Sequence, residues 1–339
     1  MVCKMLLFDF RESEKNFFIG NKLNNFEIKF FKESLDESTL ELLSEQDFEE
    51  TMVISVFITS TINERVISKF KNLRLISTRS TGYDHICLNS CANRHIALIN
   101  VNSYGVTSVA QFTIGLFISL VRNLYLATEN VYDSSFHSLD FCGHDLNALT
   151  LGIIGTGAIG KSVIKMASCL GMNVLAYDIQ PQKELATDYN VDYVDLETLL
   201  KTSDIVSLHL PYTKDNYHMI STEQFEKMKD GSYFVNVSRG ELVDTNTLLE
   251  FTKQGKFKGV ALDVVACPNV NSDIDGEKER SSVFCVETSK SVNELSHLSN
   301  VILTPHMAYN TQESVNFILK ETFASLSDYF SGGRKNRVI

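Results

Sequence analysis

The chain has 339 residues, of which 44% are hydrophobic and 22% are charged, and its formal net charge is −11 at pH 7. This length favours two domains over one, and this balance of apolar and charged residues is typical of folded globular proteins. The acidic net charge excludes nucleic acid and anionic membranes as the main binding partners.

The seven cysteines include no CxxC pair, which is typical of reduced thiols in a cytoplasmic protein. Cys87 and Cys91 lie near His85 and His95, but their spacing matches no zinc motif, so no metal site is predicted. The N-terminal sequence MVCKMLLFDF has too short an apolar run for a signal peptide. The apolar run at residues 112–121 is too short to span a membrane, so the sequence predicts a soluble protein.

The first hundred residues alternate between strand patterns and helix patterns. Short apolar runs at residues 5–10, 52–57 and 73–78 predict strands, and residues 35–43 and 62–70 predict helices between them. Strands that alternate with helices are typical of a parallel, doubly wound sheet.

A second alternation occupies the middle of the chain. Six strand patterns follow one another with helical segments between them: LGIIG, NVLAYD, DIVSLHL, YFVNVS, GVALDV and NVILTP. Six such strands make a complete dinucleotide-binding sheet. Helix signals support this pattern, with a capping box at Ser221 and Gln224 and a cap at Asp244 or Thr245 for the helix that Gly255 ends.

Three further segments complete the predicted organisation. Residues 108–123 predict a helix too apolar for a surface position, and residues 269–291 are polar and long for a loop. A terminal helix at residues 310–330 most simply packs back on the first domain. We therefore expect two α/β domains with doubly wound parallel sheets: a discontinuous one of residues 1–103 plus 306–339, and one of residues 104–305.

A glycine-rich sequence, GTGAIG at residues 155–160, follows a predicted strand and opens a predicted helix. In this context Gly155 makes the tight turn, Gly157 lets a pyrophosphate approach the helix N-terminus, and Gly160 lets helix and strand pack closely. Asp178 ends the next strand, eighteen residues after Gly160, where a carboxylate binds the ribose diol. Because Asp178 would repel a 2′-phosphate, the sequence predicts NAD as the cofactor.

Two polar side chains follow the ends of later strands. Arg239 comes just after the predicted strand at residues 233–237, and His306 comes just after the one at residues 301–304. Ligands bind at the carboxyl ends of strands in open α/β sheets. An arginine can hold a carboxylate by two parallel hydrogen bonds, and a histidine can donate a proton to a carbonyl oxygen as hydride reaches its carbon. Together with NAD, these residues predict reduction of a 2-keto acid to a 2-hydroxy acid.

The chain resembles the D-isomer-specific 2-hydroxyacid dehydrogenases, most nearly the D-lactate dehydrogenase branch with the dehydrogenases of vancomycin-resistance operons. The resemblance covers nearly the whole chain and rests on the motifs ISTRSTGYDHI, VNSYGVTSVAQFT, GTGAIGK, LAYDI, DIVSLHLP, VNVSRGELVDT, ALDV and TPHMAYNT. It implies two Rossmann-like domains, with the active site in the cleft between them and residues 104–305 as the NAD-binding domain. It also implies a homodimer formed through that domain, with the helix after Thr107 in the contact.

The resemblance further implies roles for individual residues. Arg239 is expected to bind the substrate carboxylate, and His306 is expected to be the acid/base. Asp263 is expected to face the nicotinamide amide. The other implied substrate contacts are the backbone of Thr81 and Gly82 and the pocket walls Tyr104 and Tyr309, and the other implied cofactor contacts are Gly155, Gly157, Ala158, Ile159, Gly160, Asp178, Leu210, Pro211, Asn216 and Val237. Phe57, with Tyr104 and Tyr309, suggests a pocket with aromatic walls.

The sequence departs from the family pattern in three places. Gln111 stands where the family usually has glutamate, and Tyr104 is followed by Gly-Val instead of Ser-Pro, which is expected to loosen that turn. After Asp-Val the family carries an aromatic or aliphatic residue and then Glu-x-Glu, whose second glutamate hydrogen-bonds the catalytic histidine. Here the two positions hold Ala266 and Pro268, or Cys267 if the prolines are aligned, so no acid is present there.

The missing glutamate leaves two hypotheses open. Without it, less of the His306 imidazole is expected to be protonated at neutral pH, and proton donation is expected to slow by about 10²-fold or more. Alternatively, the polar stretch NSDIDGEKE supplies an acid from Asp273, Asp275 or Glu277. The sequence thus predicts an NAD-dependent D-2-hydroxyacid dehydrogenase, or else a non-enzymatic or weakly active NAD(H)-binding protein that acts as a redox-responsive regulator.

Overall fold

The computed structural model describes residues 3–20, 26–132, 141–266 and 283–339. The chain divides into two compact units, one of Met1–Tyr104 with Thr311–Ile339 and one of Gly105–Asn310. Within the described residues, no helix is both long enough and apolar enough to cross a membrane.

Strands and helices alternate along most of the chain. The strands are β1 (Cys3–Leu7), β2 (Phe26–Phe30), β3 (Thr51–Val56), β4 (Leu75–Thr78), β5 (Ala97–Ile99), β6 (Thr150–Ile154), β7 (Asn173–Tyr177), β8 (Val191–Tyr193), β9 (Ile205–Leu208), β10 (Ser232–Asn236), β11 (Phe257–Leu262) and β12 (Val301–Leu303). The helices are α1 (Lys15–Gly20), α2 (Glu45–Glu50), α3 (Glu64–Lys69), α4 (Leu88–Asn93), α5 (Val106–Val121), α6 (Leu124–Tyr132), α7 (Ala158–Cys169), α8 (Lys183–Tyr189), α9 (Leu196–Thr202), α10 (Thr222–Lys227), α11 (Thr245–Lys253), α12 (Val283–Ser296) and α13 (Gln312–Phe330).

The first unit is built on a parallel sheet whose described strands run in the order β2-β1-β3-β4-β5. Successive strand residues point to opposite faces, so both faces can be covered by helices. On one face, Leu6 of β1 packs in a cluster with Ile67 of α3. On the other face, Met5 packs with Leu319 and Leu326, which places α13 against this sheet.

The second unit is built on a parallel sheet whose described strands run in the order β12-β11-β10-β9-β6-β7-β8. The direction of winding reverses between β6 and β9, which is where ligands bind in such sheets. A core on one side of the sheet contains Phe225, Phe234 and Phe257, all of them fully or nearly fully buried. Helix α5 packs against α7 and against β10 and β11.

The predicted fold class, two doubly wound parallel α/β sheets, is confirmed. The capping signals are confirmed as well: Ser221 and Gln224 form the box at α10, and Asp244 caps α11. Strands β2, β5 and β8 were not predicted; β5 and β8 have only three residues each, which is too short for a periodic pattern.

Two sequence predictions of local structure are wrong. Residues 35–43 form a turn and a 3-10 helix (Thr39–Leu42) instead of an α-helix, because the Asp36 side chain accepts hydrogen bonds from the backbone of Ser38 and Thr39. Residues 283–291, predicted to be irregular, belong to α12. Its buried residues include Thr288 and Ser291. Because these buried positions are polar, the segment lacks the apolar periodicity from which a helix is predicted.

Candidate active site

The turn from β6 into α7 requires glycine at two positions and leaves space at a third. Gly155 has φ +98°, and a Cβ there would lie 2.6 Å from the carbonyl oxygen of His209. A Cβ on Gly160 would lie 2.0 Å from the carbonyl oxygen of Gly155, so helix and turn are in direct backbone contact. A Cβ on Gly157 would meet nothing within 4 Å. The N-terminus of α7, with its unpaired N–H groups, therefore faces open space suited to an anion.

Asp178 follows β7 and is held beside this turn. Its Oδ2 accepts hydrogen bonds from the backbone N of Thr156 at 2.6 Å and from the Thr156 hydroxyl at 2.9 Å, and its Oδ1 accepts one from the N of Gln180 at 2.9 Å. Burial raises the pKa of this carboxyl, but the hydrogen bonds from Gln180 and Thr156 outweigh burial and keep the pKa below its usual range. Asp178 is thus ionised and oriented at the strand end, and Thr156 is a partner that the sequence did not reveal.

The segment after β9 forms the other wall of the turn. His209 is buried, and its Nε2 lies 2.9 Å from the Ser207 hydroxyl. Burial lowers the pKa of His209 to about 3, so the ring is neutral at pH 7. The Asn216 side chain donates to the carbonyl oxygen of Pro211 at 2.8 Å and accepts from the N of Thr213 at 2.7 Å, which closes the loop that follows.

These features fit a dinucleotide. The open space at Gly157 admits a pyrophosphate at the N-terminus of α7, and Asp178 supplies an ionised acceptor for a ribose diol. The remaining residues predicted to contact the cofactor lie at the same end of the sheet. Ala158 and Ile159 begin α7, Leu210 packs within 2.8 Å of the Cβ position of Gly155, and Val237 follows β10.

Arg239 follows β10 and is positioned through Asn236, a fully buried residue at the end of that strand. The Asn236 side chain donates to the carbonyl oxygen of Arg239 at 2.8 Å and accepts from the N of Ser238 at 3.0 Å. The Arg239 guanidinium donates to the carbonyl oxygen of Ser238 at 2.9 Å. Asn236 therefore sets the backbone from which the arginine side chain leaves the sheet, a role that the sequence did not reveal.

His306 follows β12 and lies in a turn organised by Asp263, which follows β11. The carboxylate of Asp263 accepts hydrogen bonds from Thr304, Met307 and Ala308, and its carbonyl oxygen accepts one from the N of His306. The N of Asp263 in turn donates to the carbonyl oxygen of Asn236 at 3.0 Å. Hydrogen bonds therefore connect the backbone of Arg239 with that of His306 across three neighbouring strands.

Arg239 and His306 follow strands that are not direct neighbours in the sheet. Because β11 lies between β10 and β12, the two strand ends are about 10 Å apart, twice the spacing of neighbouring strands. The ring of Tyr309 lies 6.5 Å from that of His306, centroid to centroid, in an edge-on arrangement. Tyr309 is also buried, so one aromatic residue predicted for the pocket adjoins the predicted acid/base.

The other predicted substrate contacts lie in the first unit. Thr81 and Gly82 follow β4; the Thr81 hydroxyl donates to the carbonyl oxygen of Val101 at 2.9 Å, and the carbonyl oxygen of Gly82 accepts from Ser80 at 2.7 Å. Among the backbone–backbone hydrogen bonds of the described residues, none is donated by the N–H of Thr81 or of Gly82. Phe57 follows β3 and Tyr104 ends the first segment of this unit.

The stretch without an acid is only partly described. Ala266 is buried, and a Cβ on Gly240 would lie 2.1 Å from its backbone N, so the residue after Arg239 packs directly on this stretch. Cys267, Pro268, Asp273, Asp275 and Glu277 lie outside the described residues. In the part of the chain that is described, no three His, Cys, Asp or Glu residues are grouped to hold a metal ion.

The chain is similar to known dehydrogenases and reductases. Residues 114–308 match the family "D-isomer specific 2-hydroxyacid dehydrogenase, NAD binding domain". An aromatic 2-oxoacid reductase of Clostridium sporogenes is 34% identical over 84% of this chain and 85% of its own length. The D-lactate dehydrogenase of Escherichia coli is 30% identical over 92% of each chain.

A solved structure agrees in fold along nearly the whole length. The D-lactate dehydrogenase from Aquifex aeolicus, in complex with NAD and lactic acid, superposes with a TM-score of 0.88 at 32% identity and covers 98% of each chain. The family match spans more than half of the chain and falls within the second unit. The chain therefore belongs to the D-isomer specific 2-hydroxyacid dehydrogenases, a family of NAD-dependent enzymes, and its second unit contains their NAD-binding domain.

Proposed function

We propose that this protein reduces 2-keto acids to D-2-hydroxy acids with NADH, in the manner of a D-lactate dehydrogenase. The observation that carries the proposal is the hydrogen-bonded connection of Arg239 with His306 at the carboxyl ends of β10, β11 and β12. These strands belong to the sheet that carries the glycine turn, which supports a position of both side chains beside the nicotinamide.

The residues divide the chemistry between binding and proton transfer. Arg239 holds the substrate carboxylate by charge-assisted hydrogen bonds, which fixes the orientation of the keto group. His306 donates a proton to the keto oxygen, which becomes the hydroxyl of the product. NADH, when bound at the glycine turn and Asp178, would supply the hydride for the keto carbon. Thr81 and Gly82 offer backbone amides to the anionic substrate.

The substrate class is a small monocarboxylic 2-keto acid, with pyruvate as the first candidate. Relatives named D-lactate dehydrogenase support pyruvate, and the relatives named aromatic 2-oxoacid reductase support larger side chains. Phe57, Tyr104 and Tyr309 are proposed as aromatic walls of the pocket.

A homodimer through the second unit is also proposed, with α5 in the contact, and multi-angle light scattering tests it.

A second candidate function is a redox-responsive NAD(H)-binding regulator with little or no turnover. The sequence Ala-Cys-Pro at residues 266–268 favours it, because the family carries a carboxylate there that stabilises the protonated histidine. Such a protein would keep the cofactor site and lose the rate of proton transfer.

Oxidation of NADH by pyruvate and by keto acids of rising side-chain size, measured from about pH 5 to pH 8, separates the two functions. Turnover to the D-isomer, identified by chiral chromatography, is the expected result. His306→Gln is expected to lose about 10²- to 10⁴-fold in kcat while NADH binding, followed by its fluorescence, is retained. Binding of NADH without turnover at any pH would leave the regulator as the function.

The pH profile also locates the missing carboxylate. Activity confined to acidic pH is expected if His306 lacks a carboxylate partner in the working enzyme. A neutral optimum that moves to lower pH in Asp273→Asn, Asp275→Asn or Glu277→Gln would assign the carboxylate to that residue.

A further inference from the structure

The backbone of His306 is in an unfavourable conformation. Its φ is +49°, in the left-handed region, where a residue other than glycine costs about 1–2 kcal/mol. Such strain persists only where surrounding contacts fix it, and it gathers at functional sites. The contacts that fix His306 therefore decide where its ring is directed.

Asp263 makes these contacts on both sides of His306. Its Oδ1 accepts hydrogen bonds from the Thr304 hydroxyl at 2.7 Å and from the N of Met307 at 2.9 Å, and its Oδ2 accepts from the N of Ala308 at 2.9 Å. Its carbonyl oxygen accepts from the N of His306 itself at 2.9 Å. One buried residue thus accepts hydrogen bonds from the Thr304 hydroxyl and from three consecutive backbone N–H groups, those of His306, Met307 and Ala308.

The Thr304 hydroxyl completes the carboxylate's hydrogen bonds inside the protein. Asp263 is 1% exposed, and a buried carboxylate is stable only when its oxygens are hydrogen-bonded. Thr304 is itself fixed to the sheet, because its N donates to the carbonyl oxygen of Leu262 at 2.9 Å. Its hydroxyl therefore orients Oδ1 toward Met307 from a rigid position.

We propose that Thr304 and Asp263 are positioning residues for His306, with the Thr304 hydroxyl orienting the carboxylate that holds the histidine in its left-handed turn. The proposal rests on the acid/base role of His306 stated above. Neither residue transfers the proton; together they place the ring that does. Because a misplacement of about 1 Å can cost about 10²-fold in rate, loss of this hydroxyl acts on kcat.

Two substitutions separate positioning from general stability. Thr304→Val replaces the hydroxyl with a methyl group of similar size, and Thr304→Ser keeps the hydroxyl. We expect Thr304→Val to lower kcat by about 10- to 100-fold, with the KM for pyruvate within about threefold of wild type. Thr304→Ser is expected to restore kcat to within about threefold, which a purely structural loss would not do. Thr304→Ala carries the same expectation if the valine variant does not fold.

A second readout does not depend on turnover. The ring resonances of His306 in NMR spectra of the NADH complex are expected to shift in Thr304→Val and to stay at their wild-type positions in Thr304→Ser. An unchanged kcat and unchanged ring resonances in Thr304→Val would overturn the proposal, as would equal losses in the valine and serine variants. Absence of turnover in wild type would overturn the proposed function instead, and the ring resonances would still decide the positioning role.

Discussion

Several turns of the second unit hold a residue at positive φ, and those at Gly155 and His306 do so in opposite ways. Gly155 has φ +98° with no room for a side chain, since a Cβ would lie 2.6 Å from the carbonyl oxygen of His209. His306 has φ +49° and keeps its side chain, with the turn held by Asp263. Glycine is suitable for a turn that binds a ligand through backbone N–H groups. A turn that supplies an imidazole must keep a side chain in spite of the positive φ.

The difference teaches where each turn is vulnerable. The glycine turn has no room for a Cβ at Gly155 or Gly160, so a side chain at either position disturbs it. The His306 turn is stabilised by hydrogen bonds that it donates to a residue distant in sequence, so loss of a partner disturbs it. Three substitutions sharpen this comparison, in addition to those at Thr304.

The largest effect is expected from Gly155→Ala. The added Cβ meets the backbone of His209, and alanine at positive φ is strained, so we expect the unfolding free energy of the second unit to fall by about 3 kcal/mol. Urea unfolding followed by circular dichroism measures it. Gly231→Ala is the matched control, because Gly231 also has positive φ, +75°, but a Cβ there meets nothing within 4 Å. Equal losses in the two variants would contradict the role of close packing.

A smaller effect is expected at His209, whose backbone forms the wall behind Gly155. The folded pKa of about 3 lies below the reference value of 6.5, so the unfolded chain binds a proton in this window that the folded chain does not. The stability that neutral His209 contributes is complete above about pH 6.5 and is lost progressively as the pH falls toward 3.

We expect this site to remove about 2 kcal/mol from the unfolding free energy between pH 7 and pH 5, and His209→Gln to remove that part of the pH dependence. Urea unfolding of both proteins at the two pH values measures the difference. An identical pH dependence in wild type and variant would show that His209 does not stay neutral in the fold.

The smallest effect is expected from Gly157→Ala. Nothing lies within 4 Å of its Cβ position, so the fold is expected to be unchanged. The methyl group would occupy the space for the pyrophosphate, and we expect the Kd for NADH to rise about tenfold, equivalent to about 1.4 kcal/mol. A fluorescence titration with NADH measures it. An unchanged Kd would place the pyrophosphate elsewhere.

The sequence predicts the glycine turn more completely than the His306 turn. The residues of the glycine turn are contiguous in sequence, and the spacing of the glycines in GTGAIG indicates their backbone roles. The His306 turn depends on Asn236, Asp263 and Thr304, which are far apart in sequence and meet only because β10, β11 and β12 are neighbours. Their positions in the chain mark them as strand ends but do not reveal their hydrogen bonds.

Local structure shows the same division. The long buried strands and the caps were predictable because their patterns are local. Helix α2 was not predicted, although the side chains of Ser44 and Asp47 form a capping box there, because Leu35 and Leu40 favoured a helix at residues 35–43 instead. Residues 283–291 were misjudged because the helix packs polar side chains inward, as where the Ser291 hydroxyl donates to Asn246 at 2.7 Å.

The return of α13 to the first sheet has a consequence for biosynthesis. Met5 and Leu7 share a core cluster with Leu319 and Leu326, so the first unit joins residues from opposite ends of the chain. The ribosome must synthesise the whole second unit before this core can close, whereas the second unit uses only contiguous residues. We therefore expect the second unit to fold first during synthesis. Until α13 has been synthesised, the apolar face of the first sheet is exposed and is expected to need protection by chaperones.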